Sequence, residues 1–244
     1  MKLDVALLPG LIAEKDLSAT VCIVLDIFRA TTCMVTAFSN GCNAIIPVLS
    51  LDEAHMVAEQ IGPVLLAGER QSLKMDGCDL GNSPFDFCRD KLAGQTVVMT
   101  TSNGTVAVKA TDTAYRTLIG SFINAEAVCR EAKKYGKDIV IVCAGTDRTF
   151  SLEDTLCAGL LVRLLAANGD MEMTDAAEGA LLMYKEANSN LFAIASGSRN
   201  GRRLCELERT KDVEYCLQTD LLDLVPYYAK GKITLSETSR NTVL

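Results

Sequence analysis

Asp26 ends an apolar run, Val21-Cys22-Ile23-Val24-Leu25, and is followed at once by Ile27-Phe28-Arg29-Ala30-Thr31-Thr32. The run has the length and β-branched content of a buried strand. Open α/β sheets place their ligand crevices just beyond such carboxyl ends. A carboxylate in that position can hold a metal ion, while a guanidinium and two hydroxyls at a helix mouth suit an oxyanion. Helix capping would account for Asp26 or a threonine equally well. It does not account for Arg29, because a cation in the first helical turn opposes the helix dipole.

Similar chemistry recurs at later strand ends. After Val97-Val98-Met99 come Thr100-Thr101-Ser102-Asn103-Gly104-Thr105, a string of hydroxyl and amide groups entering a helix. Such a turn can cradle an anion, and its polarity exceeds what a cap requires. After Ile139-Val140-Ile141-Val142-Cys143 come Ala144-Gly145-Thr146-Asp147-Arg148 and then Ser151-Leu152-Glu153-Asp154. Ser151 and Asp154 match a capping-box spacing, which leaves Glu153 unexplained. Carboxylates near Asp147 suit magnesium, which binds one or two carboxylates plus substrate oxygens. Val64-Leu65-Leu66-Ala67-Gly68 delivers Glu69 and Arg70 to another strand end, where a surface ion pair is the plainer reading. Arg199, Arg202 and Arg203 form a last basic group, readable as a second anion site and equally as a solvated loop or helix start.

The elements that must position these residues alternate along the chain. Strands are expected at 3–8, 21–25, 43–48, 63–67, 95–100, 115–118 and 138–143, with helices near 30–40, 51–61, 103–111, 122–135 and 152–168. That order predicts βα units on a largely parallel sheet with helices on its faces. Residues 68–84, with three glycines and Pro84, interrupt the rhythm and are expected to form a long functional loop. The stretch from about 169 to 244 is expected to be more helical, with a late strand near 232–235, inside one α/β domain spanning 1–244.

The chain has 244 residues, 49% of them hydrophobic, enough for a substantial core. No apolar stretch is long enough for a membrane span and the N-terminus does not resemble a signal peptide, so a cytoplasmic protein is expected. A formal charge of −7 argues against a general nucleic-acid binder without forbidding an anionic substrate. None of the ten cysteines are spaced as C-x-x-C, and most lie in apolar runs, as reduced core residues do. The single histidine, His55, sits in a charged helical segment, which argues against histidine-based phosphoryl transfer and triads. P-loop and G-x-G-x-x-G signatures are absent. One C-x₅-R match, Cys157 to Arg163, falls in an apolar helix instead of an amide-lined loop. Apolar helix faces in the C-terminal third serve a homodimer or the core equally well.

Taken in order, Leu25-Asp26-Ile27-Phe28-Arg29-Ala30-Thr31-Thr32, Gly68-Glu69-Arg70, Gly81-Asn82-Ser83-Pro84, 100–105, Cys143-Ala144-Gly145 with 151–154, and Gly201-Arg202-Arg203-Leu204 resemble the 2-phosphosulfolactate phosphatase family. The resemblance covers nearly the whole chain. It implies a three-layer α/β/α fold and magnesium-dependent hydrolysis of (2R)-phospho-3-sulfolactate to 3-sulfolactate and phosphate, a step of coenzyme M biosynthesis in methanogens. Asp26, Arg29, Glu69, Arg70, Asp147 and Glu153 are then the expected catalytic residues. Thr31, Thr32, Thr100, Thr101, Ser102, Asn103, Gly104, Arg148 and Arg202 would grip the small anionic substrate, with Asp26 and Asp154 on the metal. Asp26 as nucleophile remains open beside Asp26 as metal ligand, although Phe28 breaks the D-x-D pattern of aspartyl-phosphate enzymes. A phosphatase for another phosphorylated hydroxy-acid and a non-catalytic binder of an anionic metabolite are the competing readings.

Overall fold

The computed structural model describes residues 1–167, 169 and 171–235. Its strands are β1 (Lys2–Ala6), β2 (Thr20–Leu25), β3 (Ala44–Pro47), β4 (Leu65–Arg70), β5 (Leu73–Lys74), β6 (Thr96–Thr100), β7 (Arg116–Ile119), β8 (Asp138–Cys143), β9 (Glu172–Met173), β10 (Tyr227–Ala229) and β11 (Lys232–Thr234). The α-helices are α1 (Ala30–Ser39), α2 (Leu51–Ile61), α3 (Arg89–Leu92), α4 (Gly104–Lys109), α5 (Ala125–Lys133), α6 (Leu152–Leu165), α7 (Asp175–Ala187), α8 (Leu191–Ser196), α9 (Arg199–Glu206) and α10 (Thr210–Cys216). No helix of the described residues is long and apolar enough to cross a membrane.

All strands join one mostly parallel sheet in the order β5-β4-β6-β3-β11-β10-β7-β2-β8-β1-β9. Alternation along the strands builds the three-layer α/β/α arrangement. In β2, Val21, Ile23 and Leu25 face a core shared with α5, α6 and α7, whereas Cys22 and Val24 face the core around α1 and α4. In β6, Val97 and Met99 join that second core, while Val98 turns toward α2. Eight of the ten cysteines are buried and all are free thiols. Burial pushes the Cys22 and Cys42 thiols up to about 12, so they behave as small hydrophobes.

The sheet consists of two parallel blocks, β4-β6-β3 and β7-β2-β8-β1-β9, joined by the hairpin β10–β11. β10 runs antiparallel to β7 and β11 antiparallel to β3, so the two blocks run in opposite senses. In a flat sheet their carboxyl ends would lie far apart. Here the sheet coils around α1 and α4, whose apolar residues pack with strands of both blocks in a single core. The carboxyl ends of β2 and β8 thereby meet those of β4 and β6.

The expected long loop at 68–84 takes a different form. β4 continues through Gly68, Glu69 and Arg70, then turns in two residues into β5. Gln71 and Ser72 both have positive φ, 54° and 64°, the geometry of a tight hairpin that matches strand twist. Glu69 and Arg70 therefore project from a strand rather than from a loop. A 3₁₀ turn at Pro84–Asp86 orders the end of the segment.

Candidate active site

β2 ends in a turn that its own side chains shape. The Asp26 amide donates to Thr31 Oγ1 at 2.9 Å, and the Ala30 amide donates to Asp26 Oδ1 at 3.2 Å. Thr31 Oγ1 donates to the Asp26 carbonyl at 3.1 Å and Thr32 Oγ1 to that of Ile27 at 3.2 Å. Both threonines are fully buried, so their hydroxyls build the turn instead of facing solvent. Asp26 Oδ2 points at α4. A Cβ on Gly104 would lie 2.8 Å from that oxygen and 2.5 Å from Ala30 Cβ, so only glycine lets α4 approach this closely.

Arg29 is buried, with Nη1 on Asp212 Oδ2 at 2.5 Å and Nη2 on the Ser72 carbonyl at 2.8 Å. Ser83 Oγ donates to the other Asp212 oxygen at 2.8 Å. Glu69 is also buried and accepts two amides, Ser72 N at 2.8 Å and Ser102 N at 2.7 Å. Arg29 and Glu69 together hold the left-handed 71–72 turn, the kind of strained backbone that persists where its surroundings over-determine it. Arg70 donates to the Glu69 carbonyl at 2.7 Å and to Thr100 Oγ1 at 3.0 Å. Thr101 Oγ1 accepts the Thr105 amide at 3.1 Å and so anchors the first turn of α4.

β8 contributes the opposite wall. Ser151 caps α6 by accepting the Asp154 amide at 3.3 Å. Asp154 in turn accepts Ile27 N at 2.8 Å and Gly145 N at 3.1 Å, tying the ends of β2 and β8 together with both its oxygens. Glu153 is buried beside it, with the Ser198 and Ser151 hydroxyls favouring its ionised form against burial. Burial, then the charges of Asp26 and Glu153, hold the Asp154 carboxyl well above the usual range. Asp26 is raised to about 7, first by desolvation and then by Glu69 and Glu153. Glu153 is raised by burial as well.

These groups surround a narrow cleft of about 20 Å³ lined by Asp26, Phe28, Arg29, Glu69, Gln71, Ser72, Asn82, Ser102, Asn103, Thr146, Asp147, Asn200 and Arg203. Of the residues singled out in the sequence, Asp26, Arg29, Glu69, Ser102, Asn103 and Asp147 are brought together there. Asp147 also pairs with Arg199 at 2.5 Å, and its amide donates to Asn103 Oδ1 at 3.1 Å. Thr31, Thr32, Thr100, Thr101, Gly104, Glu153, Asp154 and Arg70 support the pocket from behind. Arg148 lines a neighbouring, more apolar pocket of about 350 Å³ with Leu8, Val106 and Ala144. Arg202 is exposed, its guanidinium donating to the Gly197 carbonyl, while Arg203 takes the place on the pocket wall.

Asn82, Asn200 and Asp212 were not singled out by their types, and Arg203 was noticed only as one of a basic group. Asn82 is buried, and its Oδ1 has no partner among the described residues. Asn82 and Arg203 lie inside sequence blocks already noticed, whereas Asp212 carries no local signal at all.

A magnesium ion would find a carboxylate oxygen in the pocket. Asp26 has one oxygen left over, and its pKa is raised first by burial and then by the charges of Glu69 and Glu153, both of which a dication would offset. Asp154 has no free oxygen, and among the described residues no three His, Cys, Asp or Glu side chains are grouped to hold a metal. A metal here would be held by Asp26 and by oxygens of the substrate, a mode magnesium favours.

Comparison with known proteins decides the family. The family model described as 2-phosphosulpholactate phosphatase matches residues 6–231. The chain belongs to this family. A relative from Clostridium acetobutylicum, called a probable 2-phosphosulfolactate phosphatase, is 38% identical over 235 residues, covering 96% of this chain and 100% of its own. One of the same name from Caldanaerobacter subterraneus is 38% identical over 228 residues, 93% of this chain and 95% of its own. A Clostridium beijerinckii relative with that name is 36% identical over 237 residues, 96% of this chain and 99% of its own. Every residue of the pocket lies within the family match.

Proposed function

We propose that this chain hydrolyses the phosphomonoester of a small acidic alcohol, (2R)-phospho-3-sulfolactate being the reference substrate, to 3-sulfolactate and phosphate, with magnesium. The observation that supports this most is the one pocket, walled by strand ends of both blocks, in which Asp26 faces Ser102 and Asn103. When bound, magnesium supplies charge neutralisation of the phosphoryl oxygens and activation of water. The remaining work belongs to the side chains. Asp26, ionised, would hold the metal through its free oxygen. Ser102 and Asn103 orient the phosphoryl group, and Arg29, fixed by Asp212, stabilises charge developing on it. The buried wall behind them keeps bulk water from dispersing that field.

Phosphate release from phosphosulfolactate, phospholactate and phosphoglycolate, with and without chelator, tests the reading. Metal-dependent release with a preference for phosphosulfolactate is expected. Tight binding without release under any divalent metal would leave a binding protein instead. Equal rates on all three would remove the sulfonate from the substrate definition. With substrate chiral at phosphorus, direct attack by water should invert the configuration; net retention, or an Asp26 acyl phosphate trapped by borohydride reduction, would make that carboxylate the nucleophile.

A further inference from the structure

The arginines around the pocket differ in what remains for a ligand. Arg29 keeps part of its donor set for the phosphoryl group but is tied by Nη1 to Asp212 and by Nη2 to the Ser72 carbonyl, and Arg70 is spent on the Glu69 carbonyl and Thr100. Arg199 is spent on Asp147 and Arg202 on the Gly197 carbonyl. Arg203 lines the pocket, and its guanidinium has neither an ion pair nor a hydrogen bond among the described residues. It is also held in place. Asn200, one turn earlier on the same face of α9, donates to the Phe28 carbonyl at 2.5 Å. A Cβ on Gly201 would sit 2.3 Å from the Ala195 carbonyl oxygen, so α9 is pressed onto the end of α8 and has no room to slide.

We propose that Arg203 is the specificity residue of the pocket: it binds the acidic tail of the substrate, its carboxylate or sulfonate, while the phosphoryl group sits against Asp26 and Ser102. This rests on the phosphatase reading above. Asp26, Glu69 and Asp147 all line the pocket, so a second anion on the substrate meets repulsion unless a free cation receives it. Arg203 is that cation, and its planar fork can take two oxygens of an acid group at once. The phosphoryl end has Arg29, Ser102 and the metal. The tail has Arg203.

The test separates tail from phosphate. Calorimetric binding of 3-sulfolactate, which has no phosphoryl group, is compared between the wild type, Arg203→Ala and Arg203→Lys, with inorganic phosphate as the second ligand. A lost charge-assisted contact of this kind corresponds to roughly 10- to 100-fold weaker sulfolactate binding in Arg203→Ala. Phosphate binding should be unchanged, and Arg203→Lys should recover part of the loss. In turnover, KM for phosphosulfolactate should rise by a similar factor, while kcat/KM for ethyl phosphate, which has no acidic tail, stays level. A loss on phospholactate as large as on phosphosulfolactate assigns Arg203 to the carboxylate; a loss on phosphosulfolactate alone assigns it to the sulfonate. Unchanged sulfolactate affinity, or an equal loss for inorganic phosphate, overturns the proposal. Should the wild type hydrolyse nothing in the panel, the phosphatase reading falls, yet the binding comparison still decides Arg203. Arg203→Lys, which keeps charge and bulk, carries the comparison if the alanine variant does not fold.

Discussion

The two strand blocks end differently where they meet. At the ends of β4 and β6 every charge has found a partner in the fold: Glu69 takes two backbone amides, and Arg70 gives to a carbonyl and a hydroxyl. At the ends of β2 and β8 three buried carboxylates stand near one another, and each is held above its usual range by burial, with mutual repulsion adding at Asp26 and Asp154. The first end is completed by folding. The second is left short of positive charge, as expected of a site that would take up a dication or a proton.

Replacing Asp26 is the strongest way to break this contrast. Asp26→Asn should cost about 10³-fold or more in kcat/KM, because it removes both the metal ligand and the titrating group. Stability should move the other way. The folded pKa of Asp26 is about 7 against an ordinary 3.8, so the folded chain holds more protons between those values. Stability from this group is full below about pH 4 and is lost as pH rises through about 7. Asp26→Asn should therefore melt higher than the wild type at pH 8 and level with it near pH 4. Magnesium should raise the wild-type Tm at pH 8 and leave that of the variant unmoved. A variant that melts lower at pH 8 would mean that Asp26 is satisfied as an anion, and the contrast between the two ends would disappear.

Asp212→Ala probes the joint between the blocks. It leaves the Arg29 guanidinium buried without its carboxylate, and breaking such a pair costs about 3–5 kcal/mol. Arg29 also holds the Ser72 carbonyl, so the 71–72 turn should loosen with it. Chemical denaturation should show the lower midpoint, and faster amide exchange should be concentrated in the 69–74 hairpin. A loss of stability spread evenly over the chain would make Asp212 an ordinary buried ion-pair partner.

Gly104→Ala is a smaller perturbation aimed at the Asp26 oxygen itself. The added methyl would meet Ala30 Cβ at 2.5 Å and Asp26 Oδ2 at 2.8 Å, and α1 and α4 must separate to admit it. Overpacking of this kind costs about 1–3 kcal/mol. The fall in kcat should exceed the rise in KM, since the carboxylate is displaced while the tail contact is left alone. Equal effects on the two would place Gly104 in substrate binding.

Much of this was legible in the sequence. Apart from the two-residue β9, the strands of both parallel blocks were expected from their apolar residues, and their order with the helices implies the layers. β10 was not legible, since Tyr227, Tyr228 and Ala229 are three residues whose pairing partner, Thr117–Leu118, is remote in sequence. The 68–74 hairpin was hidden because its glycine and charges, which serve the pocket, look like loop composition. Within the site, Asp26, Arg29 and Glu69 showed themselves because each follows an apolar strand core. Asp212 did not, because its meaning depends on an arginine 183 residues away. Arg203 and Arg202 are neighbours of one type in one motif, and only the rotation of α9 tells them apart.

Arg148 gives the finest test, because little should happen. It follows β8 as Arg29 follows β2, which made the two look equivalent in sequence. The left-handed backbone at Asp147 and Arg148, φ 50° and 60°, turns them to different sides. Asp147 faces the charged pocket, whereas Arg148 is exposed over the apolar one beside Leu8 and Val106. An exposed guanidinium with no buried partner contributes little to stability, and one outside the charged pocket contributes little to a small substrate. Arg148→Ala should leave kcat/KM for phosphosulfolactate within about twofold and Tm nearly unchanged, as expected for surface substitutions. A drop of about tenfold would mean that the 146–149 turn swings Arg148 inward over bound substrate. The β8 end would then supply a cation of its own, and its deficit of positive charge would exist only while the pocket is empty.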